Sequence, residues 1–264
     1  MPTHSVVTIH PTAIVHPDAQ LGEGVEIGPY SVIGEHVRLG ARTKVGAHCV
    51  FEGRTTVGSD CEFFTGAVIG SIPQDLKYEG EKTELLIGDR NRIREYVTMN
   101  PGTKGGGGKT VLGSDCLLMA YSHIAHDCRI GNRVIIANSS GLAGHIVVED
   151  GAVIGGLVGI HQFVRIGTLA IVGGCSRVSQ DVPPYSTCVG YPAKIFGLNN
   201  EGLKRAEFST TSKDQLHKAF RLLFQSGLSM SHAVEQVQQE VERGPEVAHL
   251  LEFIQQSKRG VCRA

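Results

Sequence analysis

Tryptophan is absent from the chain, and aromatic residues of every kind make up only 6% of it. A core without large rings must be built from Val, Ile, Leu and Ala. With 34 glycines to set frequent turns, that composition favours a stacked repeat over a sandwich or a barrel. Charge of one sign is also lacking: the net value is −1, which gives no global attraction for nucleic acid or an anionic membrane. No apolar run approaches the ~20 residues needed to cross a bilayer. The opening MPTHSVVTIHP has neither a basic stretch nor a long apolar one, so no secretory leader is expected. The seven cysteines are odd in number and scattered, which fits a reducing compartment rather than a disulfide framework. A cytoplasmic location is therefore expected.

What is present is a beat of six. Ile9, Val15, Leu21, Ile27, Ile33, Leu39, Val45, Phe51, Val57, Phe63 and Ile69 are each bulky and apolar. The fifth place of each unit is small or β-branched, as in Ala19, Val25, Ser31, Thr43 and Cys49. This period matches neither the 3.6 of a helix nor the simple alternation of a flat sheet. It predicts a parallel β-helix that turns a corner every six residues and closes a coil every three units. The beat lapses after Ile69, returns at Ile87, slips by one between Gly102 and Thr110, and then runs unbroken from Leu112 to Val178. The interruptions near 71–84 and 102–110 are read as loops projecting from the coil. The glycine run Gly105 to Gly108, followed by Lys109-Thr110, resembles a phosphate loop. That pattern needs glycine where Thr103 stands and a strand–helix context that is missing, so the run is read as a flexible loop.

Past Asn199 the period becomes helical. Ser212 with Gln215 reads as a capping box for a helix carrying Leu216, Ala219, Phe220, Leu223 and Phe224 on its apolar face. Two more helices are expected over 231–243 and 245–258. The chain thus divides into a coil domain, 1–198, and a small helical domain, 199–264.

Counting by 18 in the unbroken stretch stacks His126 under Gly144 and Gly144 under Gln162. The same count places Asp127 under His145 and His145 under Phe163. His126, Asp127, Gly144, His145, His161 and Gln162 then share one strip, within roughly 10 Å at the ~4.8 Å spacing of neighbouring strands. Three readings are open. The strip is solvated decoration, a metal site built on imidazoles, or a general base beside a bare glycine N–H able to hold an oxyanion. The residue types favour the third.

Several motifs narrow the choice further. QDLKY (Gln74 to Tyr78), IGDRNRIRE (Ile87 to Glu95), HIAHDC (His123 to Cys128), LAGH (Leu142 to His145), HQF (His161 to Phe163), VGGCS (Val172 to Ser176), QDVPPY (Gln180 to Tyr185) and EGLKR (Glu201 to Arg205) occur in that order. Together they closely resemble the UDP-N-acetylglucosamine acyltransferases that open lipid A biosynthesis. The resemblance implies a left-handed parallel β-helix with a C-terminal helical domain, assembled as a homotrimer with active sites between subunits. It implies an O-acyltransferase that moves a 3-hydroxyacyl chain from acyl carrier protein to the glucosamine 3-hydroxyl of UDP-N-acetylglucosamine. By the same resemblance His126 is the general base, Asp127 orients it, and the Gly144 amide holds the oxyanion. Asp75, Lys77, His123, His145, His161 and Gln162 would contact the sugar nucleotide or acyl chain, and Asn199, Glu201 and Arg205 the uridine and phosphates. Gly174 would gauge acyl length. No cofactor, metal or covalent acyl-enzyme is implied. One departure stands out: where a common form of the family has His-Arg after the strand ending at Met99, this chain has Asn100-Pro101. That change raises the alternative of N-acylation of a 2,3-diamino sugar nucleotide; separately, the histidines on the coil faces leave open a trimeric zinc hydrolase built on hexapeptide repeats.

Overall fold

Strands of two or four residues, each ended by a turn, repeat from Thr8 to Val178 in the computed structural model, which describes residues 6–263. They form three sheets whose members are successive coils. The first face starts at Thr8–Ile9, the second at Ile14–Val15 and the third at Gln20–Leu21. All pairings along the coil are parallel, and the coil is left-handed. The six-residue count holds in register: Leu118 pairs with Ile136, Ile124 with Leu142 and Ile130 with Val148.

The sixth-place residues fill the interior, with Ile69, Ile93, Leu118, Ile124, Ile136 and Ile154 fully buried. The fifth place does more than pack. Ser31 Oγ donates to Gly46 O at 2.7 Å, Thr43 Oγ1 to Gly58 O at 3.0 Å, and Cys49 Sγ to Phe64 O at 3.1 Å. Cys128 Sγ does the same to Ala143 O at 3.1 Å. Each side chain satisfies a turn carbonyl of the next coil that the strand ladder leaves unpaired. Burial pushes the Cys128 thiol up to about 12 and the Cys116 thiol to about 11, so both stay protonated as donors.

The corners have separate characters. The second residue of most turns is non-glycine with positive φ, for example Tyr30 at 58°, Arg42 at 57° and Asp127 at 60°. Between the first and second faces this position carries Tyr30, His48, Tyr96, Tyr121 and Leu157. Between the third and first it carries Arg42, Asp60, Arg90 and Asp115, joined as Arg42–Asp60 and Arg90–Asp115 pairs. Between the second and third it carries Asp127, His145 and Phe163. Both interruptions of the beat leave from this last corner, after Val68–Ile69 and after Thr98–Met99. They rejoin at Glu84–Ile87 and Lys109–Leu112, so Glu84, Lys109 and Thr110, expected in loops, belong to strands. Phe63 pairs with Ile93 and Ile93 with Leu118, steps of 30 and 25 residues where the uninterrupted coil takes 18.

Beyond the last coil, the antiparallel strands Ser186–Gly190 and Ala193–Leu198 cap the first face. The hexad count misses this hairpin because its strands of five and six residues lie off the period. Four helices follow: α1 (Asn200–Arg205), α2 (Thr210–Gln225), α3 (Met230–Glu240) and α4 (Pro245–Gln255). The capping box expected at Ser212 is corrected. Ser209 caps α2 by accepting from Ser212 N at 3.0 Å, and Gln215 instead donates to Glu242. The run Ser209-Thr210-Thr211-Ser212 offers several hydroxyl caps, and the outermost one lengthens the helix by most of a turn. Among the described residues no helix is long and apolar enough to cross a membrane.

A polar clamp ties the helices to the coil. Glu149 accepts from Thr168 N and Oγ1 at 2.8 and 2.9 Å and meets His249 Nε2 at 3.1 Å. His249 Nδ1 meets Tyr185 Oη at 3.0 Å, and the Arg165 guanidinium lies over Phe253. Burial alone would raise the Glu149 carboxyl, but His249 and Thr168 outweigh it and hold it below the ordinary value. A depressed carboxylate stabilises the fold above its unfolded value of ~4.3, and the contribution is lost as pH falls through the lower folded value. The melting-temperature gap between wild type and Glu149→Gln is therefore expected to narrow as pH is lowered from 7 towards 3. A gap independent of pH would contradict this account.

Candidate active site

The strand His123–Ile124 runs up the second face into the turn His126-Asp127. Positive φ at Asp127 turns its side chain back under the corner, where its carboxylate is fully buried. An isolated buried carboxylate is costly, so its partners matter. Oδ1 accepts from Thr103 N at 2.9 Å; Oδ2 accepts from Thr103 Oγ1 at 2.6 Å and from His126 Nδ1 at 2.8 Å. A proton on Nδ1 of His126 would make all three partners donors and would leave the Nε2 lone pair free.

The coil above supplies the rest. His145 N donates to His126 O at 3.0 Å, which sets Gly144 directly over the imidazole. A Cβ at Gly144 would lie 2.8 Å from His126 Nε2, so only glycine leaves that nitrogen uncovered. Gly144 N–H donates to no acceptor among the described residues. The His145 ring meets His126 edge to face at 5.1 Å and stacks on Phe163 at 4.5 Å. His123 Nδ1 lies 2.7 Å from Thr98 Oγ1. Burial first, and the neighbouring His126 second, push the His123 imidazole below the ordinary histidine value, so it is neutral at pH 7.

Two cavities adjoin this cluster. One of about 520 Å³ is lined by Gln74, His123, His126, Gly144 and His161, with a floor at Gly141 and Gly159. No atom lies within 4 Å of a Cβ built on either floor glycine, so the second face is bare there. The other, about 950 Å³, is lined by Asp75, Lys77, Thr103, Lys104, His145 and Phe163. Gln162 is exposed beside His161. The remaining candidates lie elsewhere in the chain. Asn199 accepts from Gly202 N and donates to Leu169 O, so it caps α1 against the corner between the third and first faces, with Glu201 and Arg205 following. Gly174 stands at the corner between the first and second faces, beside Gly156. Asn100 is nearly buried, and its amide nitrogen donates to Ser71 O and Ile72 O, which anchors the first projecting loop.

Comparison with known proteins decides the family. A model described as UDP N-acetylglucosamine O-acyltransferase, domain 2, matches residues 181–262, and one for the bacterial transferase hexapeptide matches 109–144. Proteins named acyl-[acyl-carrier-protein]–UDP-N-acetylglucosamine O-acyltransferase are 51% identical: one from Anaeromyxobacter dehalogenans covers 97% of this chain and 100% of its own, and one from Janthinobacterium covers 97% and 99%. The solved UDP-N-acetylglucosamine acyltransferase of Bacteroides fragilis superposes with a TM-score of 0.94 at 42% identity, covering 97% of this chain and 100% of its own. The chain belongs to the UDP-N-acetylglucosamine O-acyltransferase family. It is an acyltransferase.

Within this acyltransferase the metal reading can be tested on the donors. His126, Asp127 and His145 each offer a ligand atom, all within 4.8 Å of one another. Asp127 already accepts from Thr103 at both oxygens, and its Oδ2 lies 2.8 Å from His126 Nδ1. The family to which the chain belongs is one of acyltransferases, not of zinc hydrolases. Sequence reasoning missed Thr103, Gly106 and Thr110 around Asp127. No sequence signal pointed to them: only the structure shows that Met99 pairs with Ile124, so that the second interruption leaves the coil directly beneath His126-Asp127.

Proposed function

We propose that this acyltransferase moves a 3-hydroxyacyl chain from acyl carrier protein to the 3-hydroxyl of UDP-N-acetylglucosamine, with His126 as general base. The observation that carries this reading is the free Nε2 of His126, held by the Asp127 bond at 2.8 Å and facing bare Gly144. Nε2 takes the hydroxyl proton as the oxygen bonds to the thioester carbon. The carbonyl oxygen becomes an oxyanion, and the unpaired Gly144 N–H is placed to receive it. Collapse breaks the carbon–sulfur bond, and the proton on His126 passes to the departing thiolate. Asp75, Lys77, His123, His145, His161 and Gln162 would bind substrate along the two cavities.

A homotrimer completes this reading. On the upper first face Leu117, Ile135, Val153 and Ile171 form a continuous half-buried aliphatic ladder. Lower on the same face the corresponding places hold Glu26, Lys44, Glu62 and Arg92. An outward aliphatic ladder beginning where the charges stop suits contact with a second copy. Such contact would also let Asn199, Glu201 and Arg205, remote from His126 within one chain, serve a neighbour's site, with Arg205 pairing phosphate oxygens.

The acyl chain would run over the floor of Gly141 and Gly159 towards Gly174, three coils above His126, roughly 14 Å at the usual strand spacing. A glycine there leaves room for a long chain. Incubating the purified protein with UDP-N-acetylglucosamine or its 2,3-diamino analogue, and with hydroxyacyl carrier proteins of graded length, tests the reading by product mass. The expected result is an ester product, with a fourteen-carbon donor turned over faster than a ten-carbon one. An amide product formed in preference would shift the acceptor to the diamino sugar, and a preference for ten carbons would contradict the role of Gly174.

A further inference from the structure

The glycine run between Gly105 and Gly108 has no role in the reaction as described, yet it packs on the most buried charge of the site. Thr103 supplies two of the three donors that Asp127 receives, its N–H at 2.9 Å and its hydroxyl at 2.6 Å. The loop then curls around Thr103: its carbonyl accepts from Gly106 N at 3.1 Å and Gly108 N at 2.9 Å. Gly107 and Gly108 take φ of 94° and 79°, values that favour glycine. Gly106 lies flat on the carboxylate, where a Cβ would fall 1.9 Å from Asp127 Cγ. From the following strand Thr110 Oγ1 accepts the Asp127 N–H at 2.8 Å. The segment from Thr103 to Thr110 therefore grips Asp127 at both backbone and side chain.

We propose that Thr103 is a positioning residue for the acyl transfer, acting through Asp127 to hold the His126 proton on Nδ1 and leave Nε2 free. The inference rests on His126 being the base. Thr103 fills one direction at Oδ2 and, among the described residues, makes the only hydrogen bond at Oδ1, so the carboxylate is held in the orientation that faces the imidazole. Without the hydroxyl, Oδ2 is left with His126 alone. The charge that the hydroxyl had shared then falls on the imidazole alone, which favours the imidazolium and fixes the ring less well. Other ionisable groups facing the pair are His123 on the second face and His145 above, whose Nε2 is 3.9 Å from Oδ2. Below, the backbone of Lys104 contacts Glu81.

Steady-state kinetics of Thr103→Val, Thr103→Ser, Gly106→Ala and His126→Ala, with UDP-N-acetylglucosamine and a hydroxyacyl carrier protein, test the proposal. Misplacing a reacting group by about 1 Å can cost on the order of 100-fold in rate. Thr103→Val is expected to lose that much in kcat with the sugar-nucleotide KM unchanged, and the acid limb of its kcat/KM profile should move to higher pH. Thr103→Ser, which keeps the hydroxyl, should recover most of the rate. Gly106→Ala keeps every donor but presses on the carboxylate, and should lose kcat as well; it decides the matter if Thr103→Val does not fold. Wild-type kcat in Thr103→Val or Gly106→Ala, a loss confined to KM, or a serine variant as slow as the valine one would overturn the proposal. If His126→Ala remains active, it is the base assignment that fails; if it is inactive while Thr103→Val is not, only the role of Thr103 is lost.

Discussion

Replacing His126 by alanine is expected to lower kcat by about a hundred- to ten-thousand-fold, the range a positioned general base supplies, while leaving the sugar-nucleotide KM and the fold in place. The imidazole stands at the surface of a corner turn with its side chain 15% exposed, so removing it opens no cavity in the aliphatic interior. Asp127 keeps both donors from Thr103, so its buried charge is not orphaned. The loss falls on the step in which Nε2 takes the hydroxyl proton, an interaction strengthened only as the reaction proceeds. Steady-state kinetics beside a thermal melt separate the two effects. A variant turning over at a tenth of the wild-type rate or better would place the base elsewhere.

Gly144→Ala is expected to produce the second large effect, for a different reason. The new Cβ would stand 2.6 Å from His126 Cε1 and 2.8 Å from Nε2, closer than such atoms approach. Gly144 is not among the positive-φ residues, so its backbone accepts alanine and the coil need not move. The imidazole must yield, and it can do so only by stretching or breaking its bond to Asp127. A misplacement of about 1 Å at a reacting group can cost on the order of 100-fold in rate. We expect kcat lower by about that factor with an unchanged melting temperature. Full activity in Gly144→Ala would show that the nitrogen facing it is not the one that works.

The coil was legible because its information is repetitive. Leu142 over Ile124 follows from counting by 18, and the stacking of His126 beneath Gly144 follows from the same count. What counting could not reach depends on backbone paths that do not repeat. The hydroxyl of Thr103 finds Asp127 because a seven-residue excursion doubles back under the corner, and nothing in GTKGGGGKT announces where it closes. The fifth-place cysteines looked like compact apolar filler; their thiols prove to be donors because the coil leaves a turn carbonyl 15 residues onward within reach. The hairpin after Tyr185 and the cap at Ser209 were invisible for a plainer reason, since β-strands of five or six residues and a run of four hydroxyl residues each admit several local solutions. Asn199, Glu201 and Arg205 came from resemblance alone, and one chain by itself keeps them apart from His126.

The central claim is tested most directly by determining the structure of the assembled protein with UDP-N-acetylglucosamine bound. We predict the sugar 3-hydroxyl within about 2.6–3.2 Å of His126 Nε2, with Nδ1 still on Asp127 and residues 199–205 of an adjacent copy against the nucleotide. A 3-hydroxyl directed away from His126, or a sugar seated on a different corner of the coil, would contradict it.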